Sequence, residues 1–119
     1  MDDTPVDEIL ALARLREIFD DDREAIVEIL RECSTYLRGS LDELTISVSS
    51  VDRAGVLRAA HAIKGSCANV GALACERAAA RLESDVRGGS VPEDVSPLRR
   101  CIDDLEVAIE RYAEGSLPA

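Results

Sequence analysis

Apolar residues recur along this chain every three or four positions, and strict alternation of the strand type is almost absent. That period is the mark of amphipathic helices. Val6, Ile9, Leu10 and Ala13 outline a short first helix. The run FDDDREAI then predicts a helix start. Asp21 accepts from the free amides of the first turn, and Glu24 stands at the third position, as in a capping box. The helix dipole favours carboxylates at such a start, so the acidic triplet needs no metal to explain it. Ile26, Leu30, Cys33, Leu37, Leu41, Leu44, Val48 and Val51 follow as one continuous seam, with Gly39 off it, where it would permit a bend. Asp52 is a good cap for the next helix, which ends near Gly71, because glycine after a helix is the usual left-handed stop. A further helix runs from about Leu73 to Arg87, with Cys75, Ala79, Leu82 and Val86 on one face. RGGSVPEDVSP reads as a loop, and Ser96 followed by Pro97 reads as a cap with proline at the first helical position. Leu98, Cys101, Ile102, Leu105, Ile109 and Tyr112 form the last apolar face, and the tail EGSLPA is expected to fray.

Four long amphipathic helices with short connections predict an all-α fold. The expected architecture is an antiparallel four-helix up-down bundle, with the short N-terminal helix covering one end. Neither an internal repeat nor a low-complexity tract interrupts the pattern, so one domain is expected over residues 1–119, with its core at roughly 6–112.

Composition narrows the partners. Net charge is −10, and a surface that acidic repels nucleic acid and anionic lipid at long range. Aromatic residues make up only 3% and tryptophan is missing, which argues against base-stacking platforms. No stretch approaches the roughly 20 apolar residues of a membrane span. The start MDDTPVDEIL lacks the basic, then apolar, character of a secretory signal, so the cytoplasm is expected. Cys33, Cys67, Cys75 and Cys101 match neither a C-x-x-C unit nor a zinc spacing, and they read as small core hydrophobes. No metal site is expected in this chain. The preference for arginine over lysine hints at a GC-rich bacterial genome.

One short stretch stands apart. HAIKGS holds the only histidine, His61, and the only lysine, Lys64; the other thirteen basic residues are arginine. With about 100° between successive helical residues and His61 set at zero, Val70, Ile63, Val56, Cys67 and Ala60 fall between roughly 180° and 260°. They define the core face, so His61 points away from it, and Cys67 cannot share a metal with it. Gly65 lies on the same face as His61 and Lys64 flanks it, while Leu57, Ala68 and Ala72 project nearby. A glycine inside a helix costs about 1 kcal/mol relative to alanine. Beside an outward histidine, it removes the side chain that would block approach to the ring.

Neutral imidazole is a nucleophile. With a single histidine, no serine or cysteine can be activated by a second one, and Ser66 is not in a G-x-S-x-G elbow. Hydrolase and transferase triads are therefore disfavoured. A histidine that accepts a phosphoryl group needs reach, a nearby cation and room for the donor. Lys64 offers a point charge for about two units of new negative charge.

AHAIKGSCANVGA, residues 60–72, resembles the histidine-containing phosphotransfer (HPt) domain family: Ala-His, an aliphatic residue, Lys-Gly-Ser, then Asn two residues before Gly-Ala. RLE, residues 81–83, follows at the expected spacing on the next helix, and the helix layout agrees from about Val6 to Tyr112. The resemblance implies a monomeric bundle that relays phosphoryl groups between aspartates of receiver domains in a multistep two-component phosphorelay. The receivers belong to response regulators or hybrid histidine kinases. His61 would be the phosphoacceptor, through Nε2, with Lys64 neutralising the phosphoryl group and Arg81 as a second cation. Leu57, Gly65, Ala68, Asn69, Ala72 and Glu83 would form the receiver-docking face. Relatives often place a glutamine near the histidine from the next helix, and Glu83, an acid, is the counterpart here. The chain would be a phosphocarrier rather than an enzyme, with no ATP site. Mg²⁺ would belong to the receiver, and neither nucleic acid nor membrane is an expected partner. Three other readings stand beside this one. The domain could be part of a larger chemotaxis-type or hybrid kinase fed by ATP, against which the start at Met1 counts. It could be a docking adaptor whose histidine is never phosphorylated. It could be a thiol or metal protein, which the cysteine spacing opposes.

Overall fold

A computed structural model describes residues 6–92 and 94–116. Among these residues the regular structure is all helical: α1 (Val6–Ile9), α2 (Leu12–Ile18), α3 (Arg23–Ser49), α4 (Arg53–Val70), α5 (Leu73–Arg87) and α6 (Ser96–Ala113). The four long helices form the expected up-down bundle. α3 packs on α4, α4 on α5, α5 on α6, and α6 closes the ring against α3. At about 1.5 Å per residue the 27 residues of α3 span most of the 43 Å long axis.

The core follows the predicted seams. Ile26, Leu30, Leu37, Leu41 and Leu44 from α3 meet Val56, Ile63 and Cys67 from α4, Cys75, Ala79 and Val86 from α5, and Ile102, Leu105 and Ile109 from α6. None of the four cysteines is in a disulfide; Cys67 and Cys75 are buried, and Cys33 and Cys101 are half-buried against the core. Burial pushes the Cys33 thiol up to about 11, which suits packing rather than reactivity.

The N-terminal helix differs from expectation. The chain breaks at Leu10 and Ala11 into two short helices, which shifts the apolar phase: Leu10, Leu12 and Leu15 are buried and Ala13 is exposed. Ala11 N–H donates to the Gly71 carbonyl at 3.1 Å, so this segment covers the bundle end that carries the α4–α5 turn. Gly71 stops α4 in the left-handed region (φ 70°), and a Cβ there would stand 2.7 Å from the Ala11 Cβ. Both backbone freedom and close approach require glycine here.

Other boundaries moved by a residue or two. Asp22, not Asp21, caps α3 by accepting from Ala25 N–H at 3.1 Å, because Asp20 and Asp21 occupy left-handed turn positions (φ 54° and 59°). α3 runs through Gly39 without a break and ends at Ser49. Val51 therefore leaves the seam and stands 70% exposed, itself left-handed (φ 53°), in the turn before Asp52. Asp52 caps α4 as expected, accepting from Gly55 N–H at 3.0 Å. Ser96 is already the first residue of α6. Its amide and hydroxyl donate to Asp94, which supplies the acceptor that Ser96 was expected to provide. Residues 114–116 of the supposedly frayed tail are closed by backbone hydrogen bonds, and residues 117–119 lie outside the described residues, as do residues 1–5.

Along the α3–α6 seam, Arg38 binds Asp103 and Glu106, Ser34 donates to Glu106, and Arg31 pairs with Glu110. Arg23 stacks over the Tyr112 ring, 4.4 Å from its centroid, and donates to the Tyr112 carbonyl. These contacts set the α3–α6 register on the side of the bundle away from α5.

Candidate functional site

α4 carries its apolar stripe inward and leaves His61 outward. The imidazole is 69% exposed, two positions before Ile63, which is fully buried. Successive helical residues turn by about 100°, so a buried Ile63 obliges His61 to face solvent. Asn69 and Gly65 are exposed on this surface, and Leu57 and Ala68 are half-buried at its edge. Beyond its chain neighbours and the backbone of its own helical turn, no atom of the described residues comes within 4 Å of a Cβ built at Gly65. Nothing inside the molecule requires glycine at that position.

Ala72 does not belong to this surface. α4 ends at Val70 and the chain reverses at Gly71, so the helical projection that placed Ala72 beside His61 no longer applies. Its side chain turns into the core and is 0% exposed.

Across the α4–α5 groove stands Glu83. It lies on the inward stripe of α5 with Cys75, Ala79 and Val86, so its carboxylate is only 4% exposed. A carboxylate at that depth must be paired and hydrogen-bonded. Its Oε1 accepts from Lys64 Nζ at 2.6 Å, and its Oε2 lies 3.0 Å from His61 Nδ1. Arg87 Nη2 sits 3.2 Å from the same Oε2, one turn further along α5. The Lys64 hydrogen bond is the largest of the influences that hold the Glu83 carboxyl below the ordinary glutamate range. His61 and Arg87 add to it, and burial works against it. Glu83 is thus ionised near neutrality and can only accept. The hydrogen between it and His61 must therefore sit on Nδ1. That tautomer leaves the Nε2 lone pair free, on the solvent side of the ring.

Glu83 was expected both on the docking face and as the counterpart of the glutamine that relatives place near the histidine. It is buried rather than exposed, and it contacts both His61 and Lys64. Arg81 is displaced as well. It precedes Glu83 by two residues, about 200° around the helix. Arg81 instead lines a small depression of about 170 Å³ with Leu82, Asp85, Val95 and Leu98, between α5 and α6. It does not face His61. The α5 cation that does reach the site is Arg87, which the sequence reading passed over. Its signal was available: once Glu83 is placed against His61, the residue four positions later shares its side of the helix.

The site joins an exposed imidazole with its free nitrogen outward, a lysine one turn away, a buried carboxylate fixing both, and an unobstructed glycine beside them. Such a surface can take a group from a macromolecular donor but does not enclose a small substrate. The family model described as Hpt domain matches residues 11–114, nearly the whole chain. This chain belongs to the Hpt domain family. Hpt domains are phosphocarrier modules, not kinases, that carry a phosphoryl group on histidine in phosphorelays and interact with receiver domains. No curated protein and no solved structure matches the chain. Among the described residues, no helix is long and apolar enough to cross a membrane.

Proposed function

We propose that this Hpt domain relays a phosphoryl group between the aspartates of receiver domains, with His61 as its carrier. The observation that carries the reading is the 3.0 Å contact between His61 Nδ1 and Glu83 Oε2, which turns the other ring nitrogen, Nε2, away from the carboxylate. In the forward step the Nε2 lone pair attacks phosphorus of a receiver's aspartyl phosphate. The N–P bond forms as the P–O bond to the aspartate breaks, and the carboxylate leaves with the electron pair. The imidazole ring becomes a phosphoimidazolium whose Nδ1–H remains on Glu83. That carboxylate stabilises the positive charge which develops on the ring, as a buried acid does beside a catalytic histidine. The second transfer reverses these bonds on another receiver. Lys64 meets the negative charge on the phosphoryl oxygens as a point charge. Gly65, Asn69 and Ala68, with Leu57 at the edge, form the surface on which the receiver settles. Mg²⁺ acts on the receiver's side of the interface.

The docking-adaptor reading explains an exposed face but gives no reason for a buried carboxylate aimed at Nδ1. The thiol reading loses support because the cysteines pack as core residues. The test is to mix the protein with a ³²P-labelled phosphorylated receiver domain and Mg²⁺, beside His61→Gln. Acid-labile label on the native chain alone is expected. If several receivers and an ATP-fed kinase label neither chain, the phosphocarrier reading is wrong.

A further inference from the structure

We propose that Arg87 is a positioning residue of the phosphohistidine site: it holds Glu83 in place as Lys64 leaves that carboxylate for the phosphoryl group. The inference rests on the phosphotransfer reading and goes beyond it, because the family pattern quoted above ends at residue 83.

Before transfer the two oxygens of Glu83 are divided among three partners. Oε1 is taken by Lys64 at 2.6 Å, while Oε2 is shared by His61 at 3.0 Å and Arg87 at 3.2 Å. A phosphoryl group on Nε2 adds about 1.5 to 2 negative charges on the outer side of the ring. Lys64 carries one positive charge on a flexible stem. Turned to the phosphoryl oxygens, it leaves Oε1 without its closest partner. Glu83 cannot compensate by moving into water, since its side chain is only 4% exposed. A buried carboxylate that loses its cation is strongly destabilised. Arg87 prevents that loss. Its guanidinium already touches Oε2, and its fork of donors can span both carboxylate oxygens.

The backbone around Arg87 supports this role. Arg53, the first residue of α4, donates to the Val86 carbonyl at 3.0 and 2.7 Å and to the Arg87 carbonyl at 3.2 Å. The last turn of α5 is therefore tied to the first turn of α4, the helix that carries His61 and Lys64. Arg87 itself is 65% exposed, and a surface pair of this kind contributes little to folding. Its loss should then register in transfer and not in stability.

The experiment compares the full chain with Arg87→Gln, Arg87→Lys, Lys64→Ala and the double variant Lys64→Ala/Arg87→Gln. The readout is single-turnover uptake from a ³²P-labelled phosphorylated receiver domain, with melting temperatures alongside. Arg87→Gln should slow uptake about fivefold, on the scale of coupling within one charge network, without lowering the melting temperature. Arg87→Lys should recover most of that loss. In the Lys64→Ala background Arg87→Gln should cost more than in the native chain, because the buried carboxylate then keeps neither of its permanently charged partners. Equal losses in both backgrounds, or no recovery with lysine, overturn the assignment while leaving the carrier role of His61 intact. If the native chain takes up no label at all, the phosphotransfer reading falls and Arg87 loses its role with it.

Discussion

Truncating Glu83 to alanine removes the acceptor that faces Nδ1 of His61, and the consequences for activity and for stability should differ in size. Without the carboxylate the ring can rotate and place its hydrogen on Nε2, the nitrogen that must attack. Removing an outer partner that orients a ligating histidine typically costs about 10- to 100-fold, or about 1.4–2.7 kcal/mol of barrier. Phosphoryl uptake by Glu83→Ala should fall on that scale. Stability should change much less. Three charge-assisted contacts are lost, at 2.6, 3.0 and 3.2 Å, but the Lys64, His61 and Arg87 side chains are 31%, 69% and 65% exposed and regain water. The desolvation penalty of the buried carboxylate vanishes at the same time, so the net cost should stay within about 2 kcal/mol.

Glu83→Gln should be milder in rate. An amide oxygen can still accept from Nδ1–H, although the amide nitrogen would then face the Lys64 ammonium. The acid limb of stability offers a second check. Because the Glu83 carboxyl is held below its ordinary value of 4.5, it contributes stability above that pH and loses the contribution as the pH falls through its folded value. The native chain's advantage over Glu83→Gln at pH 7 should therefore shrink in acid, which urea titrations at pH 7 and pH 3 would measure. The decisive assay is single-turnover uptake from a phosphorylated receiver, with circular dichroism to establish the fold and ¹⁵N NMR of the ring to locate the hydrogen. Uptake by a folded Glu83→Ala within twofold of the native rate, or a native ring protonated on Nε2, would refute the orientation argument.

Two glycines predict opposite outcomes for the same substitution. Gly65→Ala should stabilise the protein by about 0.5–1 kcal/mol in urea titration, since beyond its own helical turn the new Cβ meets nothing within 4 Å, and helical glycine is unfavourable. A leucine there should remain helical yet slow phosphoryl exchange roughly tenfold or more, because a small displacement of reacting groups is enough to do so; an unchanged rate would remove Gly65 from the docking surface. Gly71→Ala should instead destabilise by about 2 kcal/mol or more, from the left-handed backbone (φ 70°) and the contact with Ala11. A neutral result in chemical denaturation would mean that the N-terminal segment does not close over that turn.

The features set by local physics could be read directly from the chain. Helical period marked the seams of all four long helices, and α5 begins and ends at Leu73 and Arg87 as anticipated. The cap at Asp52 and the stop at Gly71 follow from side-chain reach and backbone freedom, which neighbours along the chain decide. The outward direction of His61 follows from the same reasoning, because helical geometry fixes it relative to Ile63 and Cys67. Errors of one residue, as at Asp22 and Ser96, arose where several polar residues in a row could each cap. Val51 and Ala72 were misplaced because a helical projection was carried past the residue where the helix stops.

The site's inner half was a different matter. Which α5 residues face His61 depends on how that helix is rotated about its own axis, and packing of Cys75, Ala79 and Val86 into the core sets that rotation. The sequence by itself placed an exposed histidine, a lysine and a glycine on one surface of α4. The family resemblance matched Glu83 to a residue near the histidine, but only the tertiary structure buried it beneath that surface, sent Arg81 to the far side and brought Arg87 within 3.2 Å of the shared carboxylate. The physical reason is that a helix's own period orders its residues around its axis, whereas their alignment with another helix is fixed only when both bury their apolar stripes together.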